Sequence, residues 1–125
     1  MRPQLAYPDV VMYHLHVRGF TKQKNSGVRH KGTFAGLREK LPYLRELGIN
    51  QIRLMPVYDF AEMTPRLELK GVPKTQKEAV VRAAEQLPEE EAWRMNYWGY
   101  GPGFYFAPKS SYAASPDPDL ELKQL

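Results

Sequence analysis

The pattern of apolar and polar residues first becomes regular at positions 10–17, where the sequence reads VVMYHLHV. β-Branched and aromatic residues dominate this stretch, and turn-forming residues flank it on both sides, which is typical of a β-strand. We therefore predict a strand at Val10–Val17, one face of which carries hydrogen-bonding groups. Residues 21–32, which are polar and contain glycine, predict a loop.

A helical spacing replaces the strand pattern after this loop. Apolar residues recur three or four positions apart and would share one face; they are Phe34, Leu37, Leu41, Leu44 and Leu47. Thr33 is placed to cap the helix N-terminus, and Gly48 suits the left-handed residue that often follows a helix. Pro42 lacks a backbone N–H. We predict a helix at Phe34–Leu47 with a bend near residues 38–42.

A second strand is predicted at Gln51–Met55, just before Pro56. The order strand, helix, strand is the βαβ unit, whose strands run parallel, so we predict the α/β class. Parallel sheets are covered on both faces, yet only one full helix accompanies these two strands. We therefore expect the front of a larger fold, with exposed core faces that favour self-association.

The remaining pattern is less regular. Residues 60–95 are charged and contain proline, with one predicted helix within residues 75–88. A final helix is predicted at Asp119–Leu125, because aspartate and proline occupy positions typical of a helix N-terminus. The sequence stops about two turns after that start, which adds to the expectation of a larger parent.

Composition narrows the functional classes. Apolar residues make up 42% and charged residues 26% of the 125 residues, which is typical of a folded domain. The net charge of +4 includes basic clusters at 18–31 and 70–77, which we interpret as solvated loops. Because there is no cysteine, disulfides and thiolate metal sites are excluded. Without a signal-peptide layout or a membrane-length apolar run, we expect a cytoplasmic protein with no membrane partner.

The most distinctive stretch is NYWGYGPGFYFAP at residues 96–108, here called the aromatic segment. It combines six aromatic rings with three glycines and follows neither a helical nor a strand period. Exposed rings offer a flat surface to a sugar or to a nucleic-acid base. The glycines suit unusual backbone angles, and they form no phosphate-binding fingerprint because they neither follow a strand nor open a helix.

Three stretches in order carry a family resemblance: MYHLHVRGFT, GTFAGLREKLPYLRELGINQIRLMPVYDF and NYWGYGPGFYFAPKSSY. They resemble the opening of the catalytic barrel in the α-amylase superfamily of glycoside hydrolases, in its isoamylase, pullulanase and glycogen-debranching branch. The resemblance implies that residues 1–125 are the N-terminal part of a (β/α)₈ TIM barrel, with residues 62–92 as a variable insertion. The two strands and the first helix would open that incomplete barrel, and a long loop follows the second strand.

The same resemblance implies a sugar-binding role for the aromatic segment. Tyr100 matches the family tyrosine that stacks on the sugar ring beside the scissile bond, and Trp98 and Asn96 either line that site or hold the loop. Four further rings are interpreted as structural: Tyr97, Phe104, Tyr105 and Phe106.

We predict no catalytic role for the other polar residues that the sequence makes prominent. His14 and His16 are two positions apart on the predicted strand and would face the same side, but no third ligand is near in sequence, so a hydrogen-bonded interior is favoured. We predict no metal and no cofactor. Arg18 matches a position that ties the first strand to neighbouring loops. Asp59 matches no catalytic position of the family.

The resemblance implies a parent enzyme of debranching or amylase type that hydrolyses α-glucosidic bonds in glycogen- or starch-like polymers, with α-glucan as its partner. Retaining hydrolysis needs two carboxyl groups about 5–5.5 Å apart. In the family these come from strands four, five and seven, so no catalytic residue is predicted here and the chain alone is expected to be inactive.

Two alternatives remain open. One is a small carbohydrate-binding module built on the aromatic segment. The other is a basic protein that stacks single-stranded RNA. The RNA-stacking alternative is disfavoured because the basic clusters lie far from the aromatic segment in sequence. We therefore predict no nucleic-acid partner.

Overall fold

The computed structural model describes residues 4–65, 78 and 93–125. The chain divides into two compact units, which are described separately: unit 1 is Met1–Phe60 with Gly103–Leu125, and unit 2 is Ala61–Pro102. The helix predicted within residues 75–88 lies outside the described residues, apart from residue 78. So does most of the predicted insertion.

A parallel βαβ arrangement forms the centre of unit 1. Strand β1 (Met12–Leu15) pairs in parallel with β2 (Gln51–Leu54) along the full length of both strands. The chain between them forms helices α1 (Val17–Thr21), α2 (Phe34–Glu39) and α3 (Leu41–Glu46). The parallel pairing agrees with the predicted α/β class.

The first strand is shorter than predicted, because a helix begins where the strand was expected to continue. β1 ends at Leu15, and His16 caps α1 by accepting a hydrogen bond on Nδ1 from the Gly19 N–H at 3.0 Å. The prediction that His14 and His16 share one strand face is therefore wrong. His14 is exposed on β1, whereas His16 lies beyond the strand and is buried.

The predicted long helix is two helices separated at Lys40, within the predicted bend. Pro42 lies in the first turn of α3, where a missing N–H costs no helical hydrogen bond. The Thr33 cap is confirmed, because its hydroxyl oxygen accepts a hydrogen bond from the Gly36 N–H at 3.1 Å.

The end of α3 also follows the sequence prediction, with one exception. Gly48 has a φ of +82°, the left-handed conformation expected after a helix. The next residue, Ile49, donates its N–H to the Leu44 carbonyl at 3.0 Å, which closes the turn. Leu47 was predicted on the buried face and is 54% exposed; it lies at the C-cap, beyond the last residue of α3, whereas Leu44 within the helix is buried.

Two antiparallel pairs follow β2. In unit 1, β3 (Tyr58–Phe60) pairs with β6 (Gly103–Pro108), with a register shift after Tyr58. In unit 2, β4 (Met63–Pro65) pairs with β5 (Trp93–Met95).

The prediction that the aromatic segment belongs to a long loop is therefore wrong for its second half, which is strand β6. The backbones of β3 and β6 approach so closely at Gly103 that a Cβ there would collide with the Asp59 carbonyl oxygen. The rings of β6 are exposed on both faces of the strand. Its sequence therefore shows no alternation of apolar and polar residues that would have predicted a strand.

The final helix, α4, spans Pro118–Gln124 and matches the predicted helix to within one residue. Asp117 caps it, accepting the Leu120 N–H on its carboxylate at 2.9 Å. Within the described ranges, every helix is too short and too polar to cross a bilayer.

The core of unit 1 gathers around one ring in the turn that precedes α4. Its buried apolar residues are Leu15, Val17, Phe34, Leu37, Leu44, Phe60 and Tyr112. The Tyr112 ring, 1% exposed, meets Phe34 and Phe60 edge-to-face at centroid distances of 6.1 and 6.2 Å. Tyr112 therefore joins the helical layer, the β3–β6 pair and the C-terminal segment in one cluster.

We expect substitutions at Tyr112 to separate its packing from its hydrogen bonding. Tyr112→Ala should lower the free energy of unfolding by about 3–5 kcal/mol, the usual cost of deleting a buried aromatic ring. Tyr112→Phe should cost about 1 kcal/mol, because it keeps the ring and loses the hydroxyl. Denaturant unfolding followed by circular dichroism measures both. The fully exposed Phe106 gives the control, since Phe106→Ala should change stability little. Equal effects of Tyr112→Ala and Phe106→Ala would contradict this view of the core.

Candidate functional site

The aromatic segment is divided between the two units. Its first seven residues belong to unit 2, and the remainder forms β6 in unit 1. The three predicted substrate-binding residues, Asn96, Trp98 and Tyr100, all lie in the part within unit 2.

Asn96 holds the turn that carries Tyr100. Its side-chain Nδ2 donates to the Tyr100 carbonyl at 3.1 Å, and its Oδ1 accepts the Gly99 N–H at 3.2 Å. Its backbone N–H donates to the Glu62 carbonyl at 2.6 Å, which joins the turn to the start of unit 2. These hydrogen bonds tie the Asn96 side chain to the turn itself.

The rings on this turn are available to a ligand. Tyr100 is 58% exposed and Trp98 is 54% exposed. Tyr97 packs its ring edge-to-face against Trp98 at 5.0 Å, which limits the motion of the indole. Gly99 and Gly101 have φ values of +77° and +130°, so the backbone on both sides of Tyr100 adopts conformations that favour glycine. The turn therefore presents two large rings from a backbone fixed by hydrogen bonds.

The rings of β6 do not pack as the sequence predicted. Phe104, Tyr105 and Phe106 are all largely exposed, so the interpretation of Phe104 and Phe106 as packing residues is wrong. Tyr105 retains one internal contact, its ring meeting Tyr58 at 4.7 Å. Consecutive strand side chains alternate between the two faces, so the exposure of all three rings leaves both faces of β6 open at these positions.

A buried polar cluster lies at the end of β1. His16 Nε2 is 3.1 Å from the Tyr112 hydroxyl oxygen, and the two rings meet edge-to-face. Because Nδ1 of His16 accepts the Gly19 N–H, we place the proton of the neutral imidazole on Nε2, from which it is donated to Tyr112. These contacts confirm the prediction of a hydrogen-bonded His16.

Arg18 extends this cluster towards the segment before α4. Its guanidinium carbon is 5.2 Å from the centre of the Tyr112 ring, and its Nη2 donates to the Ser111 hydroxyl at 2.9 Å. The structure thus ties the end of β1 to a distant loop, as the resemblance implied for Arg18. Among the described residues, no group of three or more His, Asp or Glu side chains forms a metal site.

Asp59 is bound to a buried cation. Lys109, 6% exposed, places its ammonium 3.1 Å from Asp59 Oδ1 and donates to the Phe60 carbonyl at 2.9 Å. The same ammonium lies 4.8 Å from the centre of the Phe60 ring. Asp59 therefore supplies a counter-charge to the Lys109 ammonium.

Glu121 is the other carboxylate with a defined structural role. Its two carboxylate oxygens accept the N–H groups of Ala35, Ala114 and Ser115 at 2.9–3.0 Å. Burial alone would raise the pKa of Glu121, but these hydrogen bonds outweigh burial and hold the pKa below its ordinary value of 4.5. The ionised side chain joins the start of α2 to the segment before α4.

Sequence analysis assigned no role to Tyr112, Lys109 or Glu121. Tyr112 had one usable signal, since it is a lone aromatic residue between polar residues and a proline-rich stretch. Glu121 lies within the predicted final helix, and nothing in its sequence neighbourhood indicates a partner 86 positions away.

Comparisons with known proteins agree on one group of enzymes. Isoamylase 1, chloroplastic, of Oryza sativa subsp. japonica is 37% identical over 112 residues, which cover 88% of the chain and 11% of that protein. Pullulanase of Bacillus subtilis is 34% identical over 132 residues, covering 94% of the chain and 15% of the relative. The glycogen operon protein GlgX homolog of Haemophilus influenzae is 30% identical, covering 98% and 16%. No family model matches the chain.

Solved structures agree with these relatives. A pullulanase mutant from Paenibacillus barengoltzii, complexed with maltotetraose, matches 99% of the chain with a TM-score of 0.66 and 30% identity. The chain belongs by homology to the isoamylase and pullulanase group of the α-amylase superfamily. Pullulanase type I from Bacillus subtilis, complexed with maltose, also matches, with a TM-score of 0.64 and 29% identity. The chain spans less than a fifth of the length of each of these homologues.

The lowered pKa of Glu121 predicts how stability depends on pH. A carboxylate whose pKa is lower in the folded than in the unfolded state stabilises the fold above its unfolded pKa. That stability is lost as the pH falls from about 4.5 through the lowered folded pKa. At neutral pH, Glu121→Gln should cost about 2 kcal/mol, because an amide NH₂ then faces backbone N–H donors.

Denaturant unfolding at a series of pH values measures this effect. The difference between the wild type and Glu121→Gln should shrink on acidification below pH 4.5. Glu46→Gln, on the exposed side of α3, is the matched control and should have little effect. A Glu121→Gln penalty that stays constant down through this pH range would contradict an ionised Glu121 in the fold.

Proposed function

We propose that this chain is the opening part of the catalytic domain of an α-glucan-debranching glycoside hydrolase, and that the turn carrying Tyr100 contacts the glucan. The observation that carries the proposal is the exposed Tyr100 ring on a turn fixed by Asn96. Its context supports it, because the homologues are isoamylases and pullulanases and the matching pullulanase structures hold maltotetraose and maltose.

The chemistry of the turn suits a sugar. A pyranose ring presents a patch of C–H bonds on one face, which an aromatic ring covers while the hydroxyl groups stay free for hydrogen bonds. Tyr100 and Trp98 supply such rings, and the fixed backbone reduces the entropy lost when they are ordered against a ligand. Asn96 then contributes by positioning Tyr100, since both ends of its amide are already bonded to the turn.

The barrel context is the second part of the proposal. β1, the α2–α3 pair and β2 would be the first strand, first helix and second strand of a (β/α)₈ barrel, and α4 would begin its second helix. The parallel pairing of β1 with β2 supports this assignment. Such barrels place their active sites at the C-terminal ends of the strands, and the aromatic segment follows the second strand. Residues 62–92 are proposed as an insertion, and a cytoplasmic location remains a prediction from the sequence.

We further propose that the chain binds glucan without cleaving it. Retaining hydrolysis needs one carboxylate as nucleophile and a second carboxyl group as acid and base. Asp59 is paired with Lys109, and Glu121 is held by backbone N–H groups on both oxygens. Neither carboxylate is arranged to perform either step.

A stand-alone carbohydrate-binding module is the second candidate. The observation in its favour is that rings are exposed within each half of the aromatic segment, on the turn of unit 2 and on β6 of unit 1. Both candidates predict that this chain binds sugar. They differ in whether residues 1–125 complete a catalytic barrel when the remaining strands are supplied.

We expect Tyr100→Ala to weaken the binding of maltotetraose to this chain by about fivefold or more, as for other single aromatic stacking contacts. Isothermal titration calorimetry on the purified chain measures the affinity. Tyr7→Ala is the control, because Tyr7 is 92% exposed and lies outside the aromatic segment. Equal affinities of the wild type and Tyr100→Ala would show that the turn is not the sugar-binding surface.

The purified chain should release no reducing sugar from branched or linear α-glucans. A sensitive reducing-end assay on glycogen and pullulan, with repeated purification to remove host enzymes, measures this. Turnover that persists through purification and disappears in Asp59→Asn would overturn the proposal, because it would assign catalysis to a carboxylate that is paired with Lys109.

A further inference from the structure

A long stretch of unit 1 carries positive charge only. Between Asp9 and Glu39 the sequence contains no acidic residue and six basic ones, namely Arg18, Lys22, Lys24, Arg29, Lys31 and Arg38. The whole chain has 18 basic and 14 acidic residues, so a run of one sign over this length departs from its average. From the sequence alone, this basic stretch was interpreted as a solvated loop.

The basic loop, residues 22–32, is fixed at both ends. The Gly32 N–H donates to the buried Thr21 hydroxyl at 2.8 Å, which closes the loop where it begins. Val28 inserts into the protein and is buried. The Arg29 N–H donates to the Glu39 carboxylate, 3.1 Å from its nearer oxygen. The loop therefore holds a defined conformation.

Basic side chains lie along this fixed loop. The aliphatic parts of Arg18 and Lys22, one helical turn apart, both pass over Gly32, where a Cβ would lie 3.3 Å from a side-chain carbon of each. The Arg18 guanidinium itself lies against Tyr112 and Ser111, so the charge at the loop comes from its lysines and Arg29. Lys31 Nζ donates to the Lys24 carbonyl at 2.6 Å, so this cation is drawn back onto the loop. Lys40 Nζ lies 3.9 Å from the Cβ position of Gly27.

Little negative charge offsets this cluster. Glu39 is the nearest acid in sequence, and its carboxylate accepts a backbone N–H of the loop. Within residues 4–65 and 93–125, no carboxylate forms an ion pair with Lys22, Lys24 or Lys31. Like charges held together on a rigid surface repel one another, and a bound anion relieves that repulsion.

We propose that the basic loop binds phosphate ester groups carried on an α-glucan chain, an inference that rests on the proposed function. Lysine and arginine are the side chains that recognise phosphate in proteins, and a phosphate monoester brings close to two negative charges. Residues 22–32 contain no Phe, Tyr or Trp on which a nucleic-acid base could stack, so a phosphate on a sugar polymer fits better than RNA.

The test compares two forms of one polymer. Amylopectin that carries glucose phosphate esters, and the same material after phosphatase treatment, are titrated with the purified chain at low salt and at physiological salt. The wild type should bind the phosphorylated form about tenfold more tightly at low salt, and this advantage should fall as salt rises. In Lys22→Gln/Lys24→Gln/Arg29→Gln the advantage should disappear, while binding to the treated polymer is unchanged.

The control variant removes the same number of charges elsewhere. Arg45→Gln/Arg53→Gln/Lys123→Gln changes three exposed residues outside the loop and should keep the advantage. Equal binding of both polymers by the wild type would overturn the phosphate site and leave the glucan-binding proposal standing. Equal loss in the two triple variants would also overturn it, because net charge would then explain the effect.

Two further outcomes separate this inference from the proposed function. If Tyr100→Ala leaves binding to both polymers unchanged while the loop variant loses the phosphate advantage, the stacking proposal fails and the loop site is supported. If single-stranded RNA competes more strongly than the phosphorylated polymer, the loop is a nucleic-acid site and the proposal is wrong.

Discussion

Burial of the Tyr112 ring is the interaction on which unit 1 depends most. The ring comes from the segment before α4 and packs between Phe34 of the helical layer and Phe60 of β3. Because its hydroxyl is also buried, it needs a polar partner, and His16 supplies one. His16 in turn caps α1, so the contact that closes the core also sets the end of β1.

Two carboxylates of unit 1 make defined structural contacts. Lys109 is buried beside Phe60 with Asp59 as its counter-charge. Glu121 joins α2 to the C-terminal segment through hydrogen bonds. These contacts give both carboxylates a structural role. The exposed groups for which we propose functions lie elsewhere, on the turn fixed by Asn96 and on the basic loop.

Local signals predicted well, and contacts distant in sequence did not. The cap at Thr33 and the left-handed Gly48 could be predicted because each depends on a few adjacent residues. The early end of β1 could not, because it depends on His16, whose burial depends on a tyrosine 96 positions later. β6 was missed because its rings are exposed, so no alternation of apolar and polar residues marks the strand. The sugar-binding role proposed for Tyr100 rests on the family resemblance, since neighbouring residues identify it only as one ring among six.

The functional interpretation of this chain depends on contact between the turn around Tyr100 and α-glucan. Heteronuclear NMR of the isotope-labelled chain, titrated with maltotetraose, can detect that contact because each backbone amide reports separately. We expect saturable shifts centred on residues 97–101, while the amides around Tyr112 stay unperturbed. Saturable shifts confined to other residues, with the amides of the turn unchanged, would contradict it.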